Sequence, residues 1–322
     1  MTRELERAIA SQPDVLRRAL RLDLGAAVDQ LRDRERVMLI GTGTSHNAAQ
    51  LGAVALARAG VQARAFAAAE YAHWPVGPRA GDALIVISHT GETAFARAAR
   101  ERARAAGAAV VAITGEGRGW DGALEVAPKE TAETYTQSYL ASLLTLFRLA
   151  AALGASDLAD QLEELPGRVA GALTDPQPDA VLLPARLLVL AGAGPCAVTA
   201  VEGALKLREG ARLPAEGYSA EFLLHGSAVP LDERDALVLV GSELDPHGIV
   251  ALVGEAARSE GIAVYRLATR EGLDPLLAQL PLTVLVQRLA LRLATERGCD
   301  ADTVITGAWG DDALWAAGAP PG

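Results

Sequence analysis

The sequence states one pattern twice, and that pattern limits the folds open to it. "RVMLIGTGTS" (36–45), "ALIVISHTGET" (83–93) and "AAVVAITGEG" (108–117) each read as a buried strand running into a turn. The intervening "NAAQLGAVALARAG" and "TAFARAARERARAAG" carry helical periodicity and close on glycine. "RLLVLAGAGPC" (186–196), "ALVLVGSELDP" (236–246) and "IAVYRLATREG" (262–272) then recur at nearly the same mutual spacing. Strand–helix alternation requires crossover connections, hence parallel strands with helices on both faces of the sheet. The expected fold is α/β, with two subdomains from a duplication, each a three-layer, flavodoxin-like parallel sheet flanked by helices.

Between the repeats lie "TYTQSYLASLLTLFRLAAAL" (134–153) and "SDLADQLEELPGRVAGAL", punctuated by Pro166 and "TDPQPD" (174–179). The expected division is an N-terminal helical segment (1–35), a first subdomain (36–155), a helical linker (156–180) and a second subdomain with a C-terminal tail (181–322).

Several classes of function are disfavoured. The 322 residues suffice for a large core, yet no apolar run reaches membrane-spanning length. The N-terminus "MTRELERAIASQPDVLRR" is amphipathic and lacks the apolar stretch of a signal peptide. Cys196 and Cys299 have no metal-ligand spacing and imply no disulfide framework. A cytoplasmic protein with neither metal nor cofactor is the simple expectation. Net charge is −10 and no basic cluster interleaves with aromatics, so nucleic acid is not an expected partner. Lysine is scarce: only Lys129 and Lys206 occur.

Ligands of open parallel sheets bind beyond the carboxyl ends of the strands. "GTGTSHNA" (41–48) begins like a dinucleotide fingerprint, but His46 stands where the third glycine belongs. "SHTGET" (88–93) offers Ser88, Thr90 and Thr93 with the N–H groups of a helix start, a combination suited to an anion. Neither loop contains lysine, which excludes a Walker A site and leaves a small phosphate monoester held by neutral donors. Helix capping alone would use the same residues; two such loops on successive strands favour binding. In the second repeat, Glu243 and Asp245 occupy the corresponding edge and would repel phosphate, so one phosphate site per chain is expected.

"VEGALKLREGARLPAEGYSAEFLLHGS" (201–227) holds a different chemistry. Glu202, Lys206 and Glu209 fall at i, i+4 and i+7, on one helix face. A solvated charge ladder has the same spacing, but this helix opens directly after a strand, at the ligand edge. Glu216 and His225 follow, and a carboxylate with an imidazole can move protons on a sugar phosphate.

Together "GTSHN", "SHTGET" and "EGALKLRE…AEGYSAEFLLHG" resemble the sugar isomerase (SIS) domains of glucosamine-6-phosphate synthase and related phosphosugar deglycases and deaminases. The likeness runs from about residue 5 to 310 and includes the opening "E…ASQP". It implies a phosphosugar substrate, with Thr44, Ser45, Ser88, His89, Thr90 and Thr93 around the phosphate. Glu209 matches the carboxylate that carries a proton between C1 and C2, and His225 matches the histidine that opens the ring. In the family that histidine comes from a neighbouring subunit, so a homodimer with a shared site is implied. The family's "E-x-x-V-A-x-T-K" appears as "ETAETYTQ": Glu130 matches its glutamate, Tyr135 would face the sugar, and Gln137 replaces the lysine. Lys206 is expected between Glu202 and Glu209.

Two departures qualify the resemblance. No glutamine-hydrolysing domain or N-terminal cysteine nucleophile is expected here, and "GCDADTVITGAWGDDALWAAGAPPG" has no counterpart of the synthase's tail lysine. The leading expectation is isomerisation coupled to deamination or deglycation of an amino- or amine-linked sugar phosphate. Free aldose–ketose phosphate isomerisation and a non-catalytic phosphosugar sensor are the alternatives.

Overall fold

The computed structural model describes residues 3–73, 77–241, 245, 247–269 and 272–318. Nine strands are present among them: β1 (Val37–Gly41), β2 (Ala63–Ala67), β3 (Ala83–Ile87), β4 (Ala109–Gly115), β5 (Leu124–Ala127), β6 (Leu188–Gly192), β7 (Ala215–Ser219), β8 (Ala236–Gly241) and β9 (Ala263–Ala268). They form two sheets, ordered β2-β1-β3-β4-β5 and β7-β6-β8-β9. Every pairing is parallel, as the alternating pattern requires. The six strands read from apolar runs are all present, and β1, β3 and β6 are buried along their whole length.

The strands that sequence did not reveal are β2, β5 and β7, each at a sheet edge. "ARAFA" and "AEGYS" are mostly half-exposed and mix charge or glycine with apolar residues. These strands are ordered by the backbone ladder to one neighbour more than by side-chain burial, so their composition carries little signal.

The chain folds as two compact units that are discontinuous in sequence. One comprises Asp14–Thr131, Gln137–Glu163 and Ile305–Gly322 and holds the first sheet; the other comprises Met1–Pro13, Ala132–Thr136 and Glu164–Val304 and holds the second. Within the first-sheet unit, the Thr44–Arg58 helix crosses β1 closely at Gly52, where a Cβ would lie 2.9 Å from Leu39 and 2.8 Å from Leu146. Within the second, the Pro195–Ala211 helix does the same at Gly203, against Leu190 (2.8 Å) and Val286 (3.1 Å).

The duplication extends to other local devices. Arg36 grips buried Asp82 through Nε and Nη2 at 2.9 and 2.6 Å. Arg186 grips buried Asp235 in the same two-pronged way, Nε at 2.8 Å. Gly43 and Gly194 precede their helices with nearly identical backbones, φ 56 and ψ −126 against φ 55 and ψ −130. Gly41 and Gly192 end their strands where a Cβ would lie 2.4 Å from the Ser45 carbonyl carbon and 2.6 Å from that of Cys196. The obstacle is backbone, so nothing nearby can give way cheaply. We predict that Gly41→Ala destabilises the chain by about 2 kcal/mol or more and displaces Ser45; a thermal unfolding midpoint within error of wild type would refute this.

The Glu4–Ala19 helix has caps supplied from far along the chain. Asp302 accepts the N–H groups of Glu4 (3.0 Å) and Leu5 (2.9 Å), placing negative charge at the helix N-terminus. At the other end, Arg148 donates to the carbonyls of Ala19 (2.6 Å) and Leu22 (3.0 Å).

Candidate functional site

In the first-sheet unit, adjacent strands β1 and β3 deliver two loops to one sheet edge. Thr44 and Ser45, both half-buried, open the helix after β1. Ser88 is 4% exposed directly after β3, and its hydroxyl lies 3.4 Å from that of Thr93. Thr90 Oγ1 accepts the Glu92 N–H at 3.1 Å, and Gly91 turns the loop at φ +67, a conformation that favours glycine.

The capping explanation of these hydroxyls now has a direct answer. The Thr44–Arg58 helix has Gly43 at its N-cap, with no side chain to offer. The Ala94–Ala105 helix has Thr93 there, yet the Thr93 side chain makes no cap hydrogen bond. At the Thr44–Arg58 start, Ser45 N–H donates to the Thr42 carbonyl at 3.2 Å and His46 N–H to that of Gly43 at 2.9 Å; at the Ala94–Ala105 start the first N–H groups lack intrahelical acceptors. The two starts bring the Thr44, Ser45, Ser88, Thr90 and Thr93 hydroxyls to one sheet edge, with the donor N–H groups of the second helix.

His89 faces the interior of this loop. Its backbone carbonyl accepts the Gly115 N–H at 3.0 Å, and its Nε2 accepts the Glu130 N–H at 3.1 Å. Nε2 is therefore the unprotonated nitrogen of a neutral ring. Burial pushes the imidazole pKa below its ordinary value; Glu130 opposes that shift and Arg118 reinforces it. Glu130, 6% exposed, turns its carboxylate onto the start of the Gln137–Leu153 helix. It accepts the backbone N–H of Ser138 at 2.9 Å and of Gln137 at 3.3 Å, and the Ser138 hydroxyl. A buried anion at a helix N-terminus is favourably placed, and this position orders the segment carrying Tyr135.

The second-sheet unit holds the charged constellation. Lys206, fully buried, lies with Nζ 2.6 Å from Glu209 and 3.5 Å from Glu202, and donates to the Tyr135 carbonyl at 3.1 Å. Glu202 is likewise fully buried, whereas the Glu209 side chain is 23% exposed. The helical spacing thus does bring the three charges together, and in the interior rather than on a solvated face. Only Glu209 of the two carboxylates is reachable from solvent. The helix carrying them stops at Arg212, in the left-handed region at φ 47, and β7 follows. Glu216 on that strand is exposed and accepts the Tyr218 hydroxyl.

His225 is the one expected catalytic residue that stands exposed. It is exposed at a kink in the Leu223–Ser227 turn, with Gly226 at φ 109. Phe222 (68% exposed), Leu224 (53%) and Val229 (85%) stand exposed in the same segment, so the apolar neighbours face outward with it. Of the acids expected at the second sheet's edge, Asp245 accepts the Val250 N–H at 3.0 Å, while Glu243 lies outside the described residues. Sequence reasoning overlooked Arg118, in "GEGRGWDG" (115–122); its four glycines signalled only a turn.

No helix among the described residues is long and apolar enough to cross a membrane. Residues 30–120 match the family model described as SIS domain. The glutamine–fructose-6-phosphate aminotransferase (isomerizing) of Chlorobaculum tepidum is 28% identical, over 91% of this chain and 56% of its own length. Its namesake from Methanothermobacter thermautotrophicus is 27% identical, over 85% of this chain and 51% of its own. The chain thus spans about half the length of the curated relatives it matches. Among solved structures, the C-terminal domain of glucosamine-fructose-6-phosphate aminotransferase from Francisella tularensis superposes with a TM-score of 0.83 at 19% identity, covering 94% of this chain and 99% of that one. Glucosamine-6-phosphate deaminase from Thermotoga maritima gives 0.80 at 20% identity, covering 94% and 97%. Tagatose-6-phosphate ketose/aldose isomerase from Escherichia coli gives 0.79 at 19%, covering 94% and 96%. These three share the fold.

Proposed function

We propose that this SIS-domain chain, homologous to the isomerase domain of glucosamine-fructose-6-phosphate aminotransferase, is an enzyme of phosphorylated sugars. Its reaction is isomerisation coupled to deamination or deglycation of an amino- or amine-linked sugar phosphate. The observation that carries this is the buried Glu202–Lys206–Glu209 group, in which one carboxylate alone stays accessible. Burying two carboxylates and a lysine is unfavourable unless they are mutually compensated. A binding module would need no such group.

Roles follow from chemistry. Thr44, Ser45, Ser88, Thr90 and Thr93 hold the phosphate, with His89 and Glu130 shaping the loop behind them. Glu209 takes the proton from one sugar carbon and returns it to the next. His225 donates to the ring oxygen as the ring opens, Tyr135 faces the sugar, and Lys206, anchored on the Tyr135 carbonyl, fixes the carboxylates. Lys206 forms no covalent bond with the sugar, because an amine-linked substrate already carries nitrogen at the reacting carbon. His225, on an outward segment with exposed Phe222, Leu224 and Val229, acts in the site of a second copy, making the working unit a homodimer.

A panel of phosphorylated hexoses, hexosamines and fructosamines, scored for turnover and thermal shift together, tests the reading. Turnover of an amine-linked member is expected; thermal shift without turnover across the panel would instead make the chain a sensor. Ser88→Ala with Thr90→Ala is expected to weaken hexose 6-phosphate binding by about 2–3 kcal/mol, through bonds lost to a charged group. Equal affinity of wild type for phosphorylated and unphosphorylated sugar would sink the phosphate assignment.

A further inference from the structure

The donor-lined edge of the first sheet has one feature that hydroxyls and helix starts do not supply, which is a formal positive charge. The loop after β4 packs directly under the 88–93 loop. A Cβ at Gly91 would lie 3.3 Å from Arg118 Cβ and 3.3 Å from Trp120 Nε1. Trp120 is held in turn by Arg100, whose guanidinium carbon sits 4.5 Å from the ring centroid. The loop is wound tightly, with Gly117, Gly119 and Gly122 at φ 72, 67 and 69, so Arg118 projects from a defined backbone.

Arg118 Nε is shielded from solvent and has no hydrogen-bond acceptor among the described residues. Two acids bordering the same loop are engaged elsewhere: Glu116 pairs with Arg18, and Glu125 accepts the Gly117 N–H at 2.9 Å. A shielded guanidinium N–H lacking an acceptor is unfavourable. Arg118 thus stands beside the turn of the loop that carries Ser88, Thr90 and Thr93, next to a helix start whose N-cap side chain makes no cap hydrogen bond. An anion held at that helix start would give Arg118 Nε the acceptor it lacks.

We propose that Arg118 supplies the counter-charge for the substrate's phosphate, making it a specificity-determining residue for phosphorylated over neutral sugars. The inference rests on the phosphosugar reading above and adds a charged contact to it. A guanidinium presents several fixed donors to a phosphate, so the phosphate is held by charge as well as by neutral donors. The charge is already felt within the loop, since Arg118 lowers the pKa of His89 in concert with burial.

The test titrates fructose 6-phosphate and fructose into wild type, Arg118→Gln and Arg118→Lys by calorimetry at low and high salt. Arg118→Gln is expected to weaken fructose 6-phosphate binding by about 10- to 100-fold, leave fructose unchanged and flatten the salt dependence. Arg118→Lys should recover much of the loss, which a purely structural arginine would not predict. Thermal unfolding of each variant confirms folding, and Arg118→Lys against wild type decides the matter if Arg118→Gln does not fold. Wild type binding the phosphosugar while Arg118→Gln binds it within twofold would overturn this assignment alone. Wild type showing no preference for fructose 6-phosphate over fructose would overturn the phosphosugar reading itself.

Discussion

Glu209→Gln is expected to lower turnover of the amine-linked sugar phosphate by about 10²- to 10⁴-fold, the span of a lost general base, while phosphosugar affinity stays within a few-fold of wild type. The amide keeps the shape of the carboxylate and loses its capacity to accept a proton. Glu209 meets the conditions for that role because it lies 2.6 Å from Lys206 Nζ with its side chain still 23% exposed. Solvent deuterium should enter C1 or C2 of product with wild type and not with the variant. Retained deuterium exchange in Glu209→Gln would move the proton transfer to another residue. If His225 acts across the dimer, mixing Glu209→Gln chains with His225→Ala chains restores part of the activity. Confirmed mixed dimers that stay inactive would exclude a shared site.

The second large effect is one of stability. Lys206→Met removes the cation facing fully buried Glu202 and partly buried Glu209. Breaking a buried ion pair from one side costs about 3–5 kcal/mol, because the remaining charge stays desolvated. We expect a loss of that order in denaturant unfolding, accompanied by weak activity from misplaced carboxylates. Glu202→Gln added to Lys206→Met should return much of the stability, since it removes the stranded charge. Additivity of the two substitutions would show that they do not interact. Borohydride added with substrate should leave Lys206 unmodified; a reduced sugar adduct there would replace this account with a covalent one.

These two results separate stability from catalysis on one helix face. On the proposed reading, buried Lys206 acts through Glu209, and the more exposed Glu209 acts on the substrate. The distinction comes from exposure, which the i, i+4, i+7 spacing does not encode. A solvated ladder and a buried triad have the same sequence spacing, and the difference lies in what the second-sheet unit packs over the helix.

By itself the sequence determined the six apolar strands, the parallel topology, the duplication and the convergence of Glu202, Lys206 and Glu209. Each is written locally, as an apolar run, an alternation or a helical spacing. Tertiary structure decided the rest. Edge strands β2, β5 and β7 are ordered by ladders to their neighbours, which leave no mark on their own composition. Asp302 caps a helix starting 298 residues earlier, and Glu130 caps one whose start lies beyond Tyr135. In neither case does the helix's own sequence announce the cap. Arg118 comes to lie against Gly91 because β4 pairs with β3 and its loop folds back along the sheet edge. A charge reaches a site by where its backbone is carried, and that is set by packing between segments distant in the chain.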